Sequence, residues 1–380
     1  MDNSLRGFDT LLGAFINVAR SSNAIHHAVE CGDESWTYGA LDAVSTALAL
    51  DLYKNFGVKP IVAIVSENHP YVLANILAIW KLGGIVAPLD HNVPRDIMER
   101  MLLNIGPTAM MVPSSQVEVQ KLAKGSLDPQ LQSYSIIYSS LDLSIPCLPY
   151  DATGNTITAL TNKYALHSPE LLSHQYPLPA PNDIALYLHT SSASSVNNVK
   201  CVPLTHESIL AGSQSRVDFW RRTWPQQQFQ NLRILGWSPW SHVIGLTHDI
   251  GAAMFLSAGC YIFGIVPSSY GNTSSNVSRY MDVCGQLLET AIAKQATTFA
   301  GVPWVLEGFM RTYQEEQDIF RKQKIYSAIK SFKTFGSGGA ATSPECIKWA
   351  REFGIPLVFD LGMTELGGKA FYVFVAFNPI

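Results

Sequence analysis

The chain has 380 residues, of which 47% are hydrophobic and 15% are charged, with a formal net charge of −4 at pH 7. This length is sufficient for a large core divided into two or more lobes, and the low charge suggests apolar surface covered by another domain or partner. Nucleic-acid binding calls for a clustered basic face, so the slightly acidic balance gives no support for a nucleic-acid partner.

Cysteine usage and the apolar stretches bear on the compartment. The six cysteines are scattered without a Cys-x-x-Cys spacing, which predicts reduced thiols rather than a metal site or a disulfide framework. The amino terminus lacks a basic segment followed by an apolar stretch, so no secretory signal is expected. The most apolar stretch, residues 76–89, is interrupted by Lys81 and a glycine pair and is too short to span a bilayer. We therefore expect a cytoplasmic protein without membrane contact.

The first part of the chain shows alternating helical and strand-like patterns. Apolar residues between positions 8 and 19 follow helical spacing, as expected for a docked amphipathic helix. The next predicted elements are strand 60–65, helix 71–82, strand 84–88, helix 96–104 and strand 108–112. This rhythm predicts a parallel sheet with helices packed on its faces.

The stretch 141–181 is rich in Ser, Pro, Asn and Thr, which predicts an irregular linker between two lobes. We therefore divide the chain into a first subdomain over 1–140, this linker, a second subdomain over 182–370 and an atypical apolar tail over 371–380. The strands predicted in the second subdomain are 183–188, 232–235, 261–266, 297–300, 333–335 and 356–359. The helices predicted between them are 207–220, 277–295, 303–313, 318–331 and 344–353.

A strand-like run over 184–188 leads into a serine-rich segment that ends at Lys200. Backbone N–H groups and hydroxyl oxygens on a loop after a strand can wrap a polyphosphate, while a lysine supplies positive charge. The candidate phosphate-binding residues are Thr190, Ser191, Ser192, Ser194, Ser195 and Lys200. The alternative is a flexible serine-rich surface loop.

Two further strand-like runs end in turns with small or oxygen-bearing side chains. The first ends in Gly338, Gly339 and Ala340, and the second runs from Asp360 to Glu365. Such turns suggest a ligand site at the carboxyl ends of strands in an α/β sheet. Taken singly, glycine-rich turns are common, and a Thr-Glu pair often starts a helix. Their order along the chain carries the interpretation.

Taken in order, these segments resemble the adenylate-forming enzymes, which include acyl-CoA synthetases, luciferases and adenylation domains of nonribosomal peptide synthetases. The resemblance is closest to fungal synthetase-like adenylation domains, including those of carboxylic acid reductases. The stretches that follow the family order are 36–41, 80–90, 189–206, 236–246, 300–304, 338–340 and 360–365. The resemblance implies an α/β fold, the large amino-terminal domain of the adenylate-forming fold. This fold has two packed subdomains with mostly parallel sheets flanked by helices.

The resemblance also implies a nucleotide site. The family's phosphate loop has two glycines where this chain has Ser192 and Ser195, and Lys200 comes about two residues late. Leu361 replaces the aromatic residue that stacks on adenine in the family. The residues implied to bind ATP, besides the loop, are Gly338, Gly339, Ala340, Asp360, Leu361, Gly362 and Thr364. Glu365 offers the hard carboxylate oxygen that Mg²⁺ prefers.

A substrate pocket is implied beside the nucleotide, lined by Trp240, His242, Val302, Trp304, Gly338 and Met363. From the residues alone, a His between aromatic residues and a Gly is more often packed in a core. Amino-acid-activating relatives usually carry an Asp near this position, where this chain has Trp240-Ser241-His242. The difference favours an acid without an α-amino group, such as an aryl, α-keto or fatty acid.

The implied activity is ATP-dependent conversion of a small carboxylic acid to an acyl-AMP, with transfer to CoA or to the phosphopantetheine thiol of a carrier domain. The implied catalytic residues are Thr364, Glu365, Lys200 and His242. Implied partners are a carrier domain and a reductase or thioesterase domain, in fungal secondary metabolism. The cofactors would be ATP and Mg²⁺.

An alternative is a non-catalytic adenylation-domain remnant that binds nucleotide or acyl ligand only. Family members continue beyond the Thr-Glu motif into a mobile lobe with a catalytic Lys, whereas the last residues here, 371–380, do not resemble the family. The absent lobe, the glycine-free loop and Leu361 favour this alternative and predict impaired turnover. A Rossmann-type dehydrogenase is a third hypothesis, disfavoured because no G-x-G-x-x-G follows the first strand.

Overall fold

A computed structural model of the protein describes residues 8–113, 134–138, 143–150, 155–164, 178–190, 200–225, 229–265, 279–367 and 370–374. The helices are α1 Leu11–Ala19, α2 Tyr38–Phe56, α3 Pro70–Lys81, α4 Arg95–Ile105, α5 Ile157–Tyr164, α6 His206–Thr223, α7 Arg279–Lys294, α8 Pro303–Glu315, α9 Ile319–Lys330 and α10 Pro344–Glu352. A π-helical segment covers Gly245–Phe255, and short 3₁₀ helices cover Ser22–Ile25 and Thr364–Leu366.

The strands form two sheets. They are β1 His27–Cys31, β2 Glu34–Thr37, β3 Ile61–Val65, β4 Ile85–Leu89, β5 Ala109–Pro113, β6 Tyr134–Tyr138, β7 Leu143–Tyr150, β8 Ile184–Thr190, β9 Lys200–Thr205, β10 Arg233–Gly236, β11 Cys260–Phe263, β12 Thr298–Gly301, β13 Thr334–Gly338, β14 Leu357–Gly362 and β15 Ala370–Phe374. The eight-stranded sheet has the order β15-β14-β13-β12-β10-β11-β1-β2, and the seven-stranded sheet has the order β6-β7-β5-β3-β4-β8-β9.

Most strand pairs are parallel, which confirms the predicted α/β class with two mostly parallel sheets. The antiparallel pairs are β1–β2, β6–β7, β8–β9 and β14–β15. The sheets do not follow the predicted division into 1–140 and 182–370. β1 pairs with β11, so Val29 lies beside Tyr261, while β8 pairs with β4 in the other sheet. The hydrophobic pattern of a single segment does not indicate which distant strand it will pair with.

The predicted irregular linker contains regular structure. β7 lies within 141–181 and pairs with β5, where Met110 lies opposite Cys147, and α5 covers part of the same stretch. The prediction is therefore wrong for residues 143–150 and 157–164. Local composition suggested a break, but pairing on both sides of β7 stabilises an extended backbone, and such pairing routinely overrides local preference.

Helix starts follow ordinary capping chemistry. The Thr37 hydroxyl accepts the Ala40 N–H at 3.2 Å, and the Thr205 hydroxyl accepts the Ser208 N–H at 3.1 Å. Helix α10 begins after Ser343, which caps it, with a proline in the first turn. A capping side chain satisfies a backbone donor that the helix itself leaves unpaired. These caps fix where α2, α6 and α10 leave the sheets.

The core contains a buried, fully hydrogen-bonded lysine. The Lys81 ammonium donates to the Asp42 carboxylate at 2.6 Å and carbonyl at 2.9 Å, and to the hydroxyls of Ser45 and Thr46 at 2.8 Å. Burial lowers the pKa of Lys81 to about 8 although Asp42 opposes the shift. The neighbouring Trp80 ring is also buried and donates to the Ala185 carbonyl at 3.0 Å. Trp80 and Lys81 are therefore part of the packed interior.

None of the helices in the ranges given above combines the length and the apolar character that crossing a membrane requires.

A second buried ionisable group predicts a measurable acid sensitivity. His206 is 1% exposed, and its ring packs edge-on against Trp80 with centroids 5.6 Å apart. Burial lowers the pKa of His206 from 6.5 to about 4. Between those values the unfolded chain binds more protons than the folded chain, so the free energy of unfolding falls as the pH falls.

We expect His206→Phe to reduce this loss of stability at low pH, because phenylalanine keeps the ring contact with Trp80 and does not titrate. Urea unfolding at pH 6.5 and 4.5 measures how much the free energy of unfolding falls between these two pH values. In His206→Phe this fall should be smaller than in the wild type by on the order of 2 kcal/mol. His26→Gln, a change at a partly exposed histidine, is the matched control and should keep the wild-type difference. Equal acid losses in His206→Phe and the wild type would contradict the prediction.

Candidate active-site cleft

A cleft of about 700 Å³ opens where the carboxyl ends of β4, β8 and β14 meet the loop that follows β10. Its lining residues are Pro88, Leu89, Asp90, Val93, Pro94, Ile97, Met101, His189, Thr190, Lys200, Ser241, His242, Val243, Gly362, Met363, Thr364 and Glu365. Both sheets contribute to it. Its position agrees with the general location of ligand sites in α/β proteins, at the carboxyl ends of the strands.

The cleft brings together residues that the sequence placed far apart. Thr190 and Lys200 come from the seven-stranded sheet, where they lie opposite each other on β8 and β9. Thr364 and Glu365 come from the turn after β14 in the other sheet. Hydroxyls, a lysine ammonium and a carboxylate thus line one cleft. This is a suitable set for a polyphosphate and a divalent cation.

The serine-rich loop is the segment between Thr190 and Lys200. Ser191, Ser192, Ser194 and Ser195 lie outside the described residues, so their predicted contacts with phosphate stay predictions. Thr190 and Lys200 flank this loop and both line the cleft.

The predicted adenine loop adjoins the cleft. Gly338 lies opposite Asp360 in the β13–β14 register, and a Cβ at Gly338 would come within 2.8 Å of the Asp360 carbonyl. Gly339 has φ +81°, a left-handed backbone that glycine adopts readily. Gly339 and Ala340 are exposed. The turn therefore presents backbone to solvent beside β14, and adenine binding there stays a prediction.

Asp360 forms a buried ion pair with Arg216. Its carboxylate accepts a hydrogen bond from Arg216 at 2.9 Å, and both side chains are 4% exposed. The carboxylate is therefore held by a buried guanidinium, and binding of ATP at Asp360 stays a prediction. Leu361, the next residue, is 69% exposed.

The predicted substrate residues fall into two groups. His242 and Met363 line the cleft, and partial burial lowers the pKa of His242 below 6.5. Trp240 is instead 2% exposed, with its ring 5.5 Å from that of Tyr261. The prediction that Trp240 contacts substrate is wrong, because its ring is part of the aromatic core.

Val302 and Trp304 lie apart from the cleft lining. Both are half-buried, and the Trp304 ring packs edge-on against Trp237 with centroids 5.4 Å apart. Val302 lies near Gly339, since a Cβ there would be 3.9 Å from the Val302 methyl group. Their predicted role in a substrate pocket stays a prediction.

A smaller cavity of about 210 Å³ adjoins the cleft and shares Asp90 and Ser241 with it. Its other lining residues are Ser66, Glu67, Asn68, His91, Asn92, Gly236, Trp237, Pro239, Tyr261, Phe263 and Ile265. Sequence reasoning did not single out this group. The sequence did offer one indication of this cavity. Polar residues come directly after β3 and β4, just as the polar Thr190 stands at the end of β8.

Sequence reasoning also missed His189. It lines the cleft beside Thr190, and burial lowers its pKa from 6.5 to about 4. Its two ring nitrogens have no hydrogen-bond partner among the residues that the structure describes. Burial therefore keeps His189 a neutral imidazole at neutral pH.

A magnesium ion fits this donor set only in company with a phosphate. Across the described ranges, no group of three or more His, Cys, Asp and Glu side chains forms a metal cage. At the cleft, Glu365 supplies a carboxylate next to Thr364. Mg²⁺ is usually held by one or two carboxylates together with substrate phosphates, so the residues present are compatible with it.

Comparison with known proteins places the cleft in a family context. A sequence profile of the family described as "AMP-binding enzyme" matches residues 17–379. The chain is 36% identical over 378 residues to hispidin synthase from Neonothopanus nambi, and the alignment covers 98% of this chain and 21% of that protein. The chain thus spans about a fifth of the length of this relative.

Two solved structures share the fold. The N-terminal subdomain of Klebsiella oxytoca NpsA, in complex with 3-hydroxybenzoyl-AMSN, superposes with a TM-score of 0.69 at 16% identity, covering 100% of this chain and 79% of that one. ATP-bound MatB from Rhodopseudomonas palustris gives a TM-score of 0.67 at 19% identity, covering 94% and 60% of the two chains. These matches confirm the predicted fold.

Proposed function

The chain belongs to the AMP-binding enzyme family, and on this basis we propose that it activates a carboxylic acid with ATP to give an acyl-AMP and pyrophosphate. The observation that carries this proposal is the cleft in which Thr190 and Lys200 of one sheet lie with Thr364 and Glu365 of the other. Family membership supplies the reaction class, and the cleft supplies the groups that the reaction needs.

In the proposed reaction, a carboxylate oxygen attacks the α-phosphorus of ATP. A new oxygen–phosphorus bond forms, and the bond to pyrophosphate breaks, so pyrophosphate leaves with the electron pair. The Lys200 ammonium and the hydroxyls of Thr190 and Thr364 hold phosphate oxygens and align the two reactants. Glu365 would hold Mg²⁺, which offsets the negative charge of the phosphates when bound. Catalysis in this scheme depends on positioning and charge stabilisation.

We further propose that the acid lacks an α-ammonium group. Among the described residues, the carboxylates that line the cleft are Asp90 and Glu365, and Glu365 is assigned to Mg²⁺. Asp90 accepts two hydrogen bonds from Asn92, at 2.9 and 3.0 Å. His242 also lines the cleft, and because its pKa is lowered, its neutral imidazole offers no counter-charge to an ammonium at neutral pH. Aryl, α-keto or fatty acids therefore fit better than α-amino acids.

The acceptor of the acyl group is proposed to be a thiol, on CoA or on the phosphopantetheine of a carrier domain. The 36% identity with a fungal hispidin synthase supports a role in secondary metabolism. The alignment covers 21% of that relative. This supports the proposal that the chain acts together with further domains, such as a carrier domain with a reductase or thioesterase.

Exchange of labelled pyrophosphate into ATP tests the proposal. We expect exchange that requires Mg²⁺ and an added acid, and that is faster with aryl or α-keto acids than with any α-amino acid. A panel matched in size, such as a phenylpropanoid acid, its α-keto analogue and phenylalanine, separates the α-substituent from bulk. Faster exchange with the amino acid would contradict the proposed acid class. Binding of ATP without exchange for any acid would favour the binding-only alternative.

A further inference from the structure

Asn68 connects the two sheets beside the cleft. It lies between β3 and α3, and its amide nitrogen donates to the Ser238 carbonyl at 2.8 Å and to the Tyr261 hydroxyl at 3.2 Å. Its amide oxygen accepts the Trp240 N–H at 2.9 Å. One side chain thus pairs with a backbone donor and a backbone acceptor of the loop after β10.

This loop carries residues of the cleft. Ser241 and His242 follow Trp240 directly and line the cleft. On its own sheet the loop is held because the Ser238 hydroxyl donates to the Ala300 carbonyl at 3.2 Å. Asn68 comes from the seven-stranded sheet, which also carries Thr190 and Lys200. Asn68 therefore links the loop that carries His242 to the part of the chain that carries Thr190 and Lys200.

These hydrogen bonds matter because the two loop residues that Asn68 contacts through their backbone are buried. Ser238 and Trp240 are each 2% exposed. Without the amide, a backbone carbonyl and a backbone N–H would lose partners away from water, which buried groups rarely do. Aspartate in place of Asn68 would keep the acceptor for Trp240 but set an oxygen against the Ser238 carbonyl.

We propose that Asn68 is a positioning residue that fixes the Ser238–Trp240 loop and so sets His242 relative to Thr190 and Lys200. The inference rests on the proposed function, because that function gives His242 its role beside the substrate. The test, however, measures the position of the loop and does not depend on activity. A failure to detect adenylation would therefore count against the proposed function. It would not affect the test of Asn68, which uses hydrogen exchange and the His242 titration.

The test compares Asn68→Ala and Asn68→Asp with Asn75→Ala in the full 380-residue chain. Asn75 is a matched control, since it is 1% exposed and donates to the Tyr71 carbonyl at 2.8 Å within α3. Amide hydrogen exchange of the segment 238–245 should accelerate on the order of tenfold in both Asn68 variants, because Asn68→Ala removes both hydrogen bonds to the loop backbone and Asn68→Asp removes the one to the Ser238 carbonyl. In Asn75→Ala the segment should exchange as in the wild type.

The second readout is the pH titration of the His242 ring by NMR, assigned with His242→Gln. The titratable groups that line the cleft with His242 are Asp90, His189, Lys200 and Glu365. A change in the position of the loop alters the surroundings of the ring, so its titration midpoint should shift in the Asn68 variants and stay unchanged in Asn75→Ala. Wild-type exchange and an unchanged His242 midpoint in Asn68→Asp would overturn the proposal, even if Asn68→Ala failed to fold.

Discussion

Replacing Arg216 with methionine should lower the free energy of unfolding by about 3–5 kcal/mol, because it leaves a buried carboxylate without its counter-charge. Arg216 and Asp360 form an ion pair at 2.9 Å with side chains that are each 4% exposed. The second Asp360 oxygen is also buried and has no hydrogen-bond partner among the described residues. Without the guanidinium, the desolvation free energy of the buried Asp360 carboxylate would therefore no longer be offset by an ion pair.

Urea unfolding of Arg216→Met measures the loss, with Arg222→Met as the matched control. Arg222 lies on the same helix, is exposed, and donates to the Asp218 carbonyl at 3.2 Å. Its replacement should change stability by less than about 0.5 kcal/mol. The double variant with Asp360→Leu should recover much of the loss, since both charges are then removed. Equal stabilities of Arg216→Met and Arg222→Met would show that the pair is not a buried ion pair.

Replacing Lys200 with methionine should reduce pyrophosphate exchange on the order of 10²–10³-fold, the usual cost of losing one contact to transition-state charge. Methionine keeps most of the length of the side chain and removes the ammonium from the cleft. The unfolding free energy should stay near the wild-type value, because Lys200 is exposed. The loss would thus appear in the rate and not in stability.

Lys348→Met is the matched control for Lys200→Met. The Lys348 side chain is 79% exposed and lies 3.9 Å from Glu352 on α10, outside the cleft lining. Its exchange rate should equal that of the wild type. An exchange rate in Lys200→Met within a factor of two of the wild type would remove Lys200 from the proposed mechanism.

Much of the fold followed from local pattern in the sequence. Continuous apolar runs at β8 and β14 predicted buried strands, and the polar residues that follow them predicted the cleft. β9 was missed because its run is short and contains Pro203. Its antiparallel pairing with β8 is what places Lys200 opposite Thr190. That register depends on tertiary contacts and not on the composition of the segment.

The parts of the site that could not be predicted depend on contacts between distant residues. Arg216 and Asp360 are 144 positions apart, and Asn68 and Ser238 are 170 positions apart. No periodicity in a single sequence reports such pairs. Trp240 shows the reverse error, because an aromatic residue next to a candidate His was assigned to substrate while the fold uses it in the core.

Direct detection of acyl-AMP by mass spectrometry tests the central claim, that the cleft activates a carboxylic acid with ATP. The chain is incubated with ATP, Mg²⁺ and an aryl acid, with omission of each in turn, and Lys200→Met runs in parallel. We predict an acyl-AMP that appears only in the complete mixture and is strongly reduced in Lys200→Met. No acyl-AMP from any acid of the panel, under conditions where calorimetry shows Mg-ATP bound, would contradict the account.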